Sequence, residues 1–552
     1  MTETSRIALA QLNPKVGDIA GNLSRIRTAR VEARAKGADL VVTGELGVSG
    51  YPPEDLVLKP AFQVACREAV EALARETADG GPAVIVGAPW LEEGRLHNGA
   101  FLLGEGRVLA ARFKYDLPNY GVFDEKRVFQ PGPLLEPVAF GGLNIGLMIC
   151  EDLWFPTTAA HLRARGADLL VVPNGSPYEH DKIDQRLDIA RARQRETGLP
   201  IIYVNQVGGQ DELVFDGDSF VLDRGGAIRW RLPAFREAVE VSEWRRGKEG
   251  WQCLPGVTTE SLPRLHSIYQ AMVLGLRDYV RKNNFPGVIL GLSGGIDSAL
   301  SAAVAVDALG PDKVRAVMMP SPYTSRESLE DAAACAQLLG IAYDVVSIEP
   351  AMRAFEGMLA PLFAGRQTDT TEENIQSRAR GLTLMALSNK LGHMLLTTGN
   401  KSEMSVGYAT LYGDMCGGYS VLKDIYKVTV FALSRWRNDH QPADCLGPAR
   451  AVMPERVISK PPSAELKPDQ TDQDTLPPYD ILDGILTCLV EEEMAVDQIV
   501  ARGYDRATVH RVWRMLDLAE YKRRQAPPGV KISRRAFGRD RRYPITNGFR
   551  PG

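Results

Sequence analysis

No two of the seven cysteines (66, 150, 253, 335, 416, 445 and 488) form a C-x-x-C pair, and their number is odd. That spacing builds neither a disulfide framework nor a zinc knuckle, so most of these thiols are expected to be buried. The seven histidines are equally dispersed and contain no His-Glu-x-x-His. A metal held by nitrogen or sulfur is therefore not expected, and any metal would be oxygen-bound. No apolar run approaches the ~18–20 residues that cross a bilayer. Met1–Arg6 lead into the strand-like Ile7–Leu12 without the apolar core of a signal peptide, so a cytoplasmic protein is expected. Positive charge is not in excess: 65 Lys and Arg against 69 Asp and Glu give a net charge of −4. The field that suits nucleic acid or an anionic membrane is missing, and small-molecule partners are expected.

What is present is an ordinary globular composition, with 44% hydrophobic and 24% charged residues, which excludes wholesale disorder. A chain of 552 residues holds two or more domains at ~100–200 residues each. The first half alternates β-branched runs (Ile7–Leu12, Leu40–Thr43, Ala83–Gly87, Leu143–Ile149, Leu169–Val172, Ile201–Asn205) with helical periodicities near 22–36, 61–77, 157–165 and 182–197. Near 237–260 the pattern weakens into Trp, Gly and charge. The spacing predicts a first domain over 1–245, a linker over 246–263 and a second domain over 264–552. The second half opens on an amphipathic helix, Arg264–Asn283, and continues as strand–helix alternation from Val288 to Thr397, the pattern of a doubly wound parallel sheet. The stretch 460–478, rich in Pro, Asp and Gln, reads as a surface or mobile segment before a last helical region.

Gly291-Leu292-Ser293-Gly294-Gly295-Ile296-Asp297-Ser298 follows a buried strand and opens a helix. Small residues let backbone N–H groups approach phosphate oxygens, two hydroxyls add donors, and the helix N-terminus adds positive dipole. No Lys follows the glycines as in a Walker loop, and G-x-G-x-x-G is absent. Asp297, an anion beside bound anions, makes sense as a carrier of Mg²⁺. A bare Gly-Gly turn is no more than an ordinary strand-to-helix connection; the full string resembles the loop of the ATP pyrophosphatases.

Thr397–Glu403, Tyr412-Gly413-Asp414 and Leu422–Lys427 together resemble the NAD synthetases, as do Asn374–Arg380, Lys460–Leu466 and Glu520–Arg523. The similarity covers roughly 265–552. It implies ATP as co-substrate on 291–298, Thr398, Lys427 and Ser463, and Mg²⁺ at Asp297 and Glu403. It implies deamido-NAD at Asn374, Arg378, Glu403, Asp414 and Lys522. Leu411 departs from the Lys that ammonia-dependent relatives often carry before the tyrosine.

In the first half Glu45, Lys114 and Cys150 each end a strand, so they can converge at one sheet edge as base, oxyanion donor and nucleophile. Cys150 alone reads more simply as a buried small hydrophobe. The ordered set, with Pro118–Glu125 and Asn174–Pro177, resembles the nitrilase superfamily over roughly 5–240. That resemblance implies Tyr120, Ser176 and Lys182 as residues that hold glutamine, and Glu125 as an aid to the acid/base step.

Together the two resemblances imply an α/β chain: a nitrilase-like α-β-β-α sandwich followed by a doubly wound parallel sheet of the adenine nucleotide α-hydrolase-like kind. They also imply glutamine-driven amidation of deamido-NAD and a homo-oligomer; two active centres on one chain, with no bulk role for ammonia, lead to the expectation that ammonia passes within the protein. Two other readings are weaker. A tRNA modifier would use the basic tail around Arg534–Arg542, yet the acidic balance opposes it. A degenerate scaffold would show a broken Glu–Lys–Cys set.

Overall fold

The structure, a computed structural model, describes residues 3–180, 182–248, 250–468 and 470–549. It divides into two compact units, Met1–Leu262 and Pro263–Gly552.

Period-two alternation explains the first unit. In the strand Thr4–Gln11, Ile7 and Leu9 point into a core shared by two sheets, while Ala8 and Ala10 meet Ala29 and Ala33 of the helix Ile19–Ala35. The strand Leu169–Asn174 does the reverse on the other side: Val171 faces the shared core, and Leu170 and Val172 meet Ala159, Leu162, Leu187 and Ala190 of the helices Pro156–Ala164 and Lys182–Thr197. One sheet has seven strands, in the order Gly250–Cys253, Ala238–Gly247, Thr4–Gln11, Leu40–Val42, Ala83–Glu92, Arg95–Gly104 and Arg107–Phe113. The other has six, running from Ile228–Arg231 through Phe220–Leu222, Ile201–Asn205, Leu169–Asn174 and Leu143–Leu147 to Val138–Phe140. Helices cover both outer faces, so the layers are α-β-β-α.

The first part of the expected linker at 246–263 is a strand. Gly250–Cys253 pairs antiparallel with Ala238–Gly247, and Trp244 and Trp251 are fully buried from the two strands. The charged run Arg245–Lys248 that suggested a linker lies at the exposed end of this hairpin. The two tryptophans supply the apolar area that holds it to the sandwich.

The second unit has five parallel strands in the order Ala342–Val345, Val314–Met318, Val288–Gly291, Met394–Thr397 and Tyr419–Ser420. In chain order this is 3-2-1-4-5, so connections leave Val288–Gly291 and Met394–Thr397 in opposite directions. The crevice beyond the carboxyl ends of those two strands is where such sheets take ligands. The helix Thr370–Leu391 opens on a capping box formed by Asp369 and Glu372. The helix Glu349–Phe363 was not legible in the sequence, and none of its residues is buried.

The segment 460–478 is also more than surface. Asp472 and Leu476 are buried, and residues from Lys460 to Leu466 line the crevice. Beyond it, Tyr479–Leu486, Val496–Ala501 and Arg506–Leu518 pack around Leu482, Ile485, Ile499, Val509 and Val512. Among the described residues no helix is long and apolar enough to cross a membrane.

Candidate active sites

Glu45 follows the strand Leu40–Val42, Lys114 follows Arg107–Phe113, and Cys150 stands three residues beyond Leu143–Leu147. The first two strands belong to the seven-stranded sheet and the third to the six-stranded one, so the residues meet between two sheets rather than along one sheet edge. The Glu45 and Lys114 side chains are wholly buried. The Lys114 ammonium donates to Glu45 Oε1 at 2.7 Å and to Glu125 Oε1 at 2.8 Å. Burial opposes the Lys114 charge, but the two carboxylates overcome it and hold the ammonium well above the usual lysine range.

Cys150 is 4% exposed and adopts φ +43°, a left-handed conformation that costs a non-glycine residue ~1–3 kcal/mol, at the start of the single turn Cys150–Leu153. Asp152 fixes that elbow. Its Oδ2 accepts the Ile149 N–H at 2.9 Å, and its Oδ1 accepts those of Tyr115 and Asp116 at 3.0 and 2.8 Å, tying the elbow to the turn after Lys114. Burial, and then the Glu45 charge, push the Cys150 thiol well above its usual value despite Lys114. These surroundings favour the neutral thiol over the thiolate.

Three further groups complete this polar core. The Asn98 amide donates to Glu45 Oε1 at 2.7 Å and to Glu125 Oε2 at 3.4 Å. Tyr51 Oη donates to Glu125 Oε1 at 2.8 Å, and the Gly175 N–H to Glu45 Oε2 at 2.9 Å. Neither Asn98 nor Tyr51 was picked out from the sequence, because their partners lie on distant elements. The available signal was Asn98 itself, a buried amide in the otherwise largely apolar strand Arg95–Gly104. Around the rim, the half-exposed Tyr120 donates to both oxygens of Glu151, at 3.1 and 3.0 Å. Its ring also meets that of Phe123. The buried Lys182 ammonium stands 5.3 Å from the Phe123 ring and 5.9 Å from that of Trp154. Ser176, beside Gly175, has its hydroxyl held by Arg186 Nε at 3.1 Å.

In the second unit the glycine loop leaves the strand Val288–Gly291 and enters the helix Ile296–Leu309 at the switch point. Gly294 has φ +84°, and a Cβ there would lie 2.3 Å from the Ser328 carbonyl oxygen, so no larger residue fits. Ser293 and Ser298 hydroxyls meet at 3.1 Å, and Ser298 Oγ donates to the Gly295 carbonyl at 2.9 Å, which shapes the turn. Below it, Lys427 bridges two carboxylates: its ammonium pairs with Asp297 Oδ2 and lies 3.3 Å from Glu403 Oε1. Asn400 donates to Asp297 Oδ1 at 2.8 Å and caps the helix Lys401–Val406. Burial, with Asp297 adding to it, pushes the Glu403 carboxyl up to about 8 against the pull of Lys427.

One crevice is lined by all eight loop residues together with Thr398, Glu403, Asp414, Lys427 and Ser463. Three expected residues are absent from that lining: Asn374, Arg378 and Lys522 brace the loop 407–411 instead. Asn374 Oδ1 accepts from Thr410 at 3.0 Å, Arg378 Nε donates to the Leu411 carbonyl at 3.2 Å, and Lys522 donates to those of Gly407 and Ala409 at 2.7 and 2.6 Å. Asp414 Oδ1 accepts the Thr410 N–H at 2.6 Å, so it joins the crevice to this loop.

The carbon-nitrogen hydrolase family matches residues 6–247 and the NAD synthase family residues 268–526. Fold and sites therefore define a two-domain enzyme, a nitrilase-type domain followed by an NAD synthase domain. The chain is 51% identical to the glutamine-dependent NAD(+) synthetase of Rhodobacter capsulatus over the whole of both chains. It is 43% identical to that of Thermotoga maritima over 99% of each. The solved glutamine-dependent NAD(+) synthetase from Acinetobacter baumannii, in complex with ADP, superimposes with a TM-score of 0.79 at 42% identity and full coverage of both chains. The chain belongs to the glutamine-dependent NAD(+) synthetase family.

Proposed function

We propose that the first unit hydrolyses L-glutamine and that the second uses the ammonia to convert deamido-NAD to NAD at the expense of ATP. Glu45 takes the proton of the Cys150 thiol as the sulfur attacks the carboxamide carbon of glutamine. The oxyanion that forms is stabilised by the Lys114 ammonium. The proton held by Glu45 passes to the leaving nitrogen, and ammonia departs. Water, deprotonated by Glu45, then cleaves the thioester to glutamate and returns the proton to sulfur. Tyr120, Ser176 and Lys182 are the residues that hold glutamine, and Glu125 keeps Lys114 charged.

In the second unit the 291–298 loop cradles the ATP phosphates with Thr398, Ser463 and Lys427. The nicotinate carboxylate of deamido-NAD attacks the α-phosphorus, pyrophosphate leaves, and ammonia attacks the resulting acyl adenylate to give the amide and AMP. Asn374, Arg378, Asp414 and Lys522 hold deamido-NAD, directly or through the loop 407–411, together with Glu403. The donor set fits Mg²⁺: Asp297 and Glu403 offer oxygens only and share one lysine between two carboxylates. Among the described residues no cluster of three or more His, Cys, Asp or Glu side chains suited to a metal occurs, so phosphate oxygens and water must supply the other ligands. When bound there, Mg²⁺ would neutralise charge on the departing pyrophosphate.

The observation that carries this reading is Lys114, locked between Glu45 and Glu125 beside the strained Cys150 elbow. The test is NAD formation from deamido-NAD, ATP and Mg²⁺ with either glutamine or ammonium. Cys150→Ala is expected to abolish the glutamine-driven reaction and to retain the ammonium-driven one. Glutamine-driven NAD formation that survives in Cys150→Ala would overturn the assignment.

A further inference from the structure

The first unit buries two carboxylates, Glu45 and Glu125, against the single ammonium of Lys114, which leaves an excess negative charge out of water. A buried carboxylate without enough donors takes up a proton, and a protonated Glu45 could not serve as a base. Neutral donors must therefore make up the difference. Gly175 supplies one to Glu45 and Tyr51 one to Glu125. Among the described residues, the neutral donor that reaches both is the Asn98 amide, at 2.7 Å and 3.4 Å.

The other end of Asn98 is equally informative. Both partners of the NH₂ group are carboxylates, so the amide orientation is fixed, and Asn98 Oδ1 is left buried without a donor. A buried acceptor that finds no donor costs free energy. The fold bears that cost in return for the donor end. The Asn98 backbone carbonyl also accepts the Lys114 N–H at 2.9 Å, so one residue sets the main chain of Lys114 and the side chains of both glutamates.

We propose that Asn98 is a positioning residue of the glutaminase reaction: its side-chain amide keeps the Glu45–Glu125 pair ionised and in register with Lys114. This rests on the glutamine-hydrolysing reading of the first unit. The charged and titratable groups that face the pair are Lys114, Tyr51, the Cys150 thiol and, toward Glu125, the buried Glu151 carboxyl. Because the two carboxylates share their donors, the acid limb of glutamine hydrolysis belongs to the pair. A hydrogen bond to the charged form favours that form, so its removal raises the proton affinity of the pair and moves the acid limb to higher pH.

The experiment follows glutamate release from glutamine by the full-length protein across pH, for the parent, Asn98→Leu and Asn98→Asp. Asn98→Leu keeps the shape without a donor, and Asn98→Asp keeps size and polarity but turns the donor into an acceptor. The acid limb of kcat/KM is expected to rise by about one pH unit in Asn98→Leu, the scale of one charge-assisted hydrogen bond. It is expected to rise at least as far in Asn98→Asp, and below the limb each variant should be about tenfold slower than the parent. A lowered plateau with the limb in place, in whichever variant folds, would overturn the proposal, as would a profile unchanged from the parent. Cys150→Ala is run beside them: glutamate release that persists there would instead sink the glutaminase reading itself.

Discussion

At the scale of single residues, the second site turns on Lys427, whose ammonium is the cation shared by Asp297 and Glu403 in a position 1% exposed. Lys427→Met leaves two carboxylates facing each other and removes the donor that would meet a phosphate oxygen. Loss of one such preorganised donor costs about 10²–10³ in rate. NAD formation should fall by at least about a hundredfold with either nitrogen source, while glutamate release in the first unit persists. Divalent cation should also raise the melting temperature of Lys427→Met more than that of the parent, because it replaces the lost charge. Thermal scans with and without Mg²⁺ read this directly. Lys427 was legible in the sequence only through its motif; read singly, it is a helix charge like many others. Asn98 and Tyr51 had no motif, and their meaning came from partners 53 and 74 positions away on other elements.

At the scale of elements, legibility followed period. The strands Leu40–Val42 and Val288–Gly291 are short apolar runs and begin where their pattern does, whereas the strand read as Ala83–Gly87 runs on to Glu92. The hairpin Ala238–Cys253 was not readable, because its buried tryptophans are separated by a charged turn. The glycine loop was readable because its physics is local. Gly294→Ala tests it: φ +84° is strained for alanine, and the new methyl would stand 2.3 Å from the Ser328 carbonyl oxygen. The strain alone costs about 1–3 kcal/mol. The unfolding transition of the second unit should drop by several degrees, and NAD formation should be lost with both nitrogen sources. Calorimetry together with the two-donor assay checks both parts. A variant with normal ATP use would mean that the loop is an ordinary strand-to-helix turn.

At the scale of the whole molecule, the last residues of the described chain return to the second site, which no local pattern announced. Gly529 bridges in parallel to Ser420, extending the sheet past its last strand. Ile532 and Ser533 donate their N–H groups to Asp424 at 2.7 and 2.6 Å. Lys401, wholly buried, donates to Ser533 Oγ at 2.7 Å and to the Arg535 carbonyl at 2.9 Å while pairing with Asp424 at 2.7 Å. Lys401 stands between Asn400, which holds Asp297, and Glu403; Asp424 stands three residues before Lys427. The segment thus fastens the two stretches that carry Glu403 and Lys427. Removal of residues 528–552 takes away two of the Lys401 acceptors and three of the donors to Asp424, so buried charges lose partners. The truncated chain should still release glutamate from glutamine but make no NAD from either nitrogen source, with glutamate and NAD measured in the same reaction. Persistent NAD formation would show that the crevice is held without the returning segment; loss of both products would show that the first unit also depends on it.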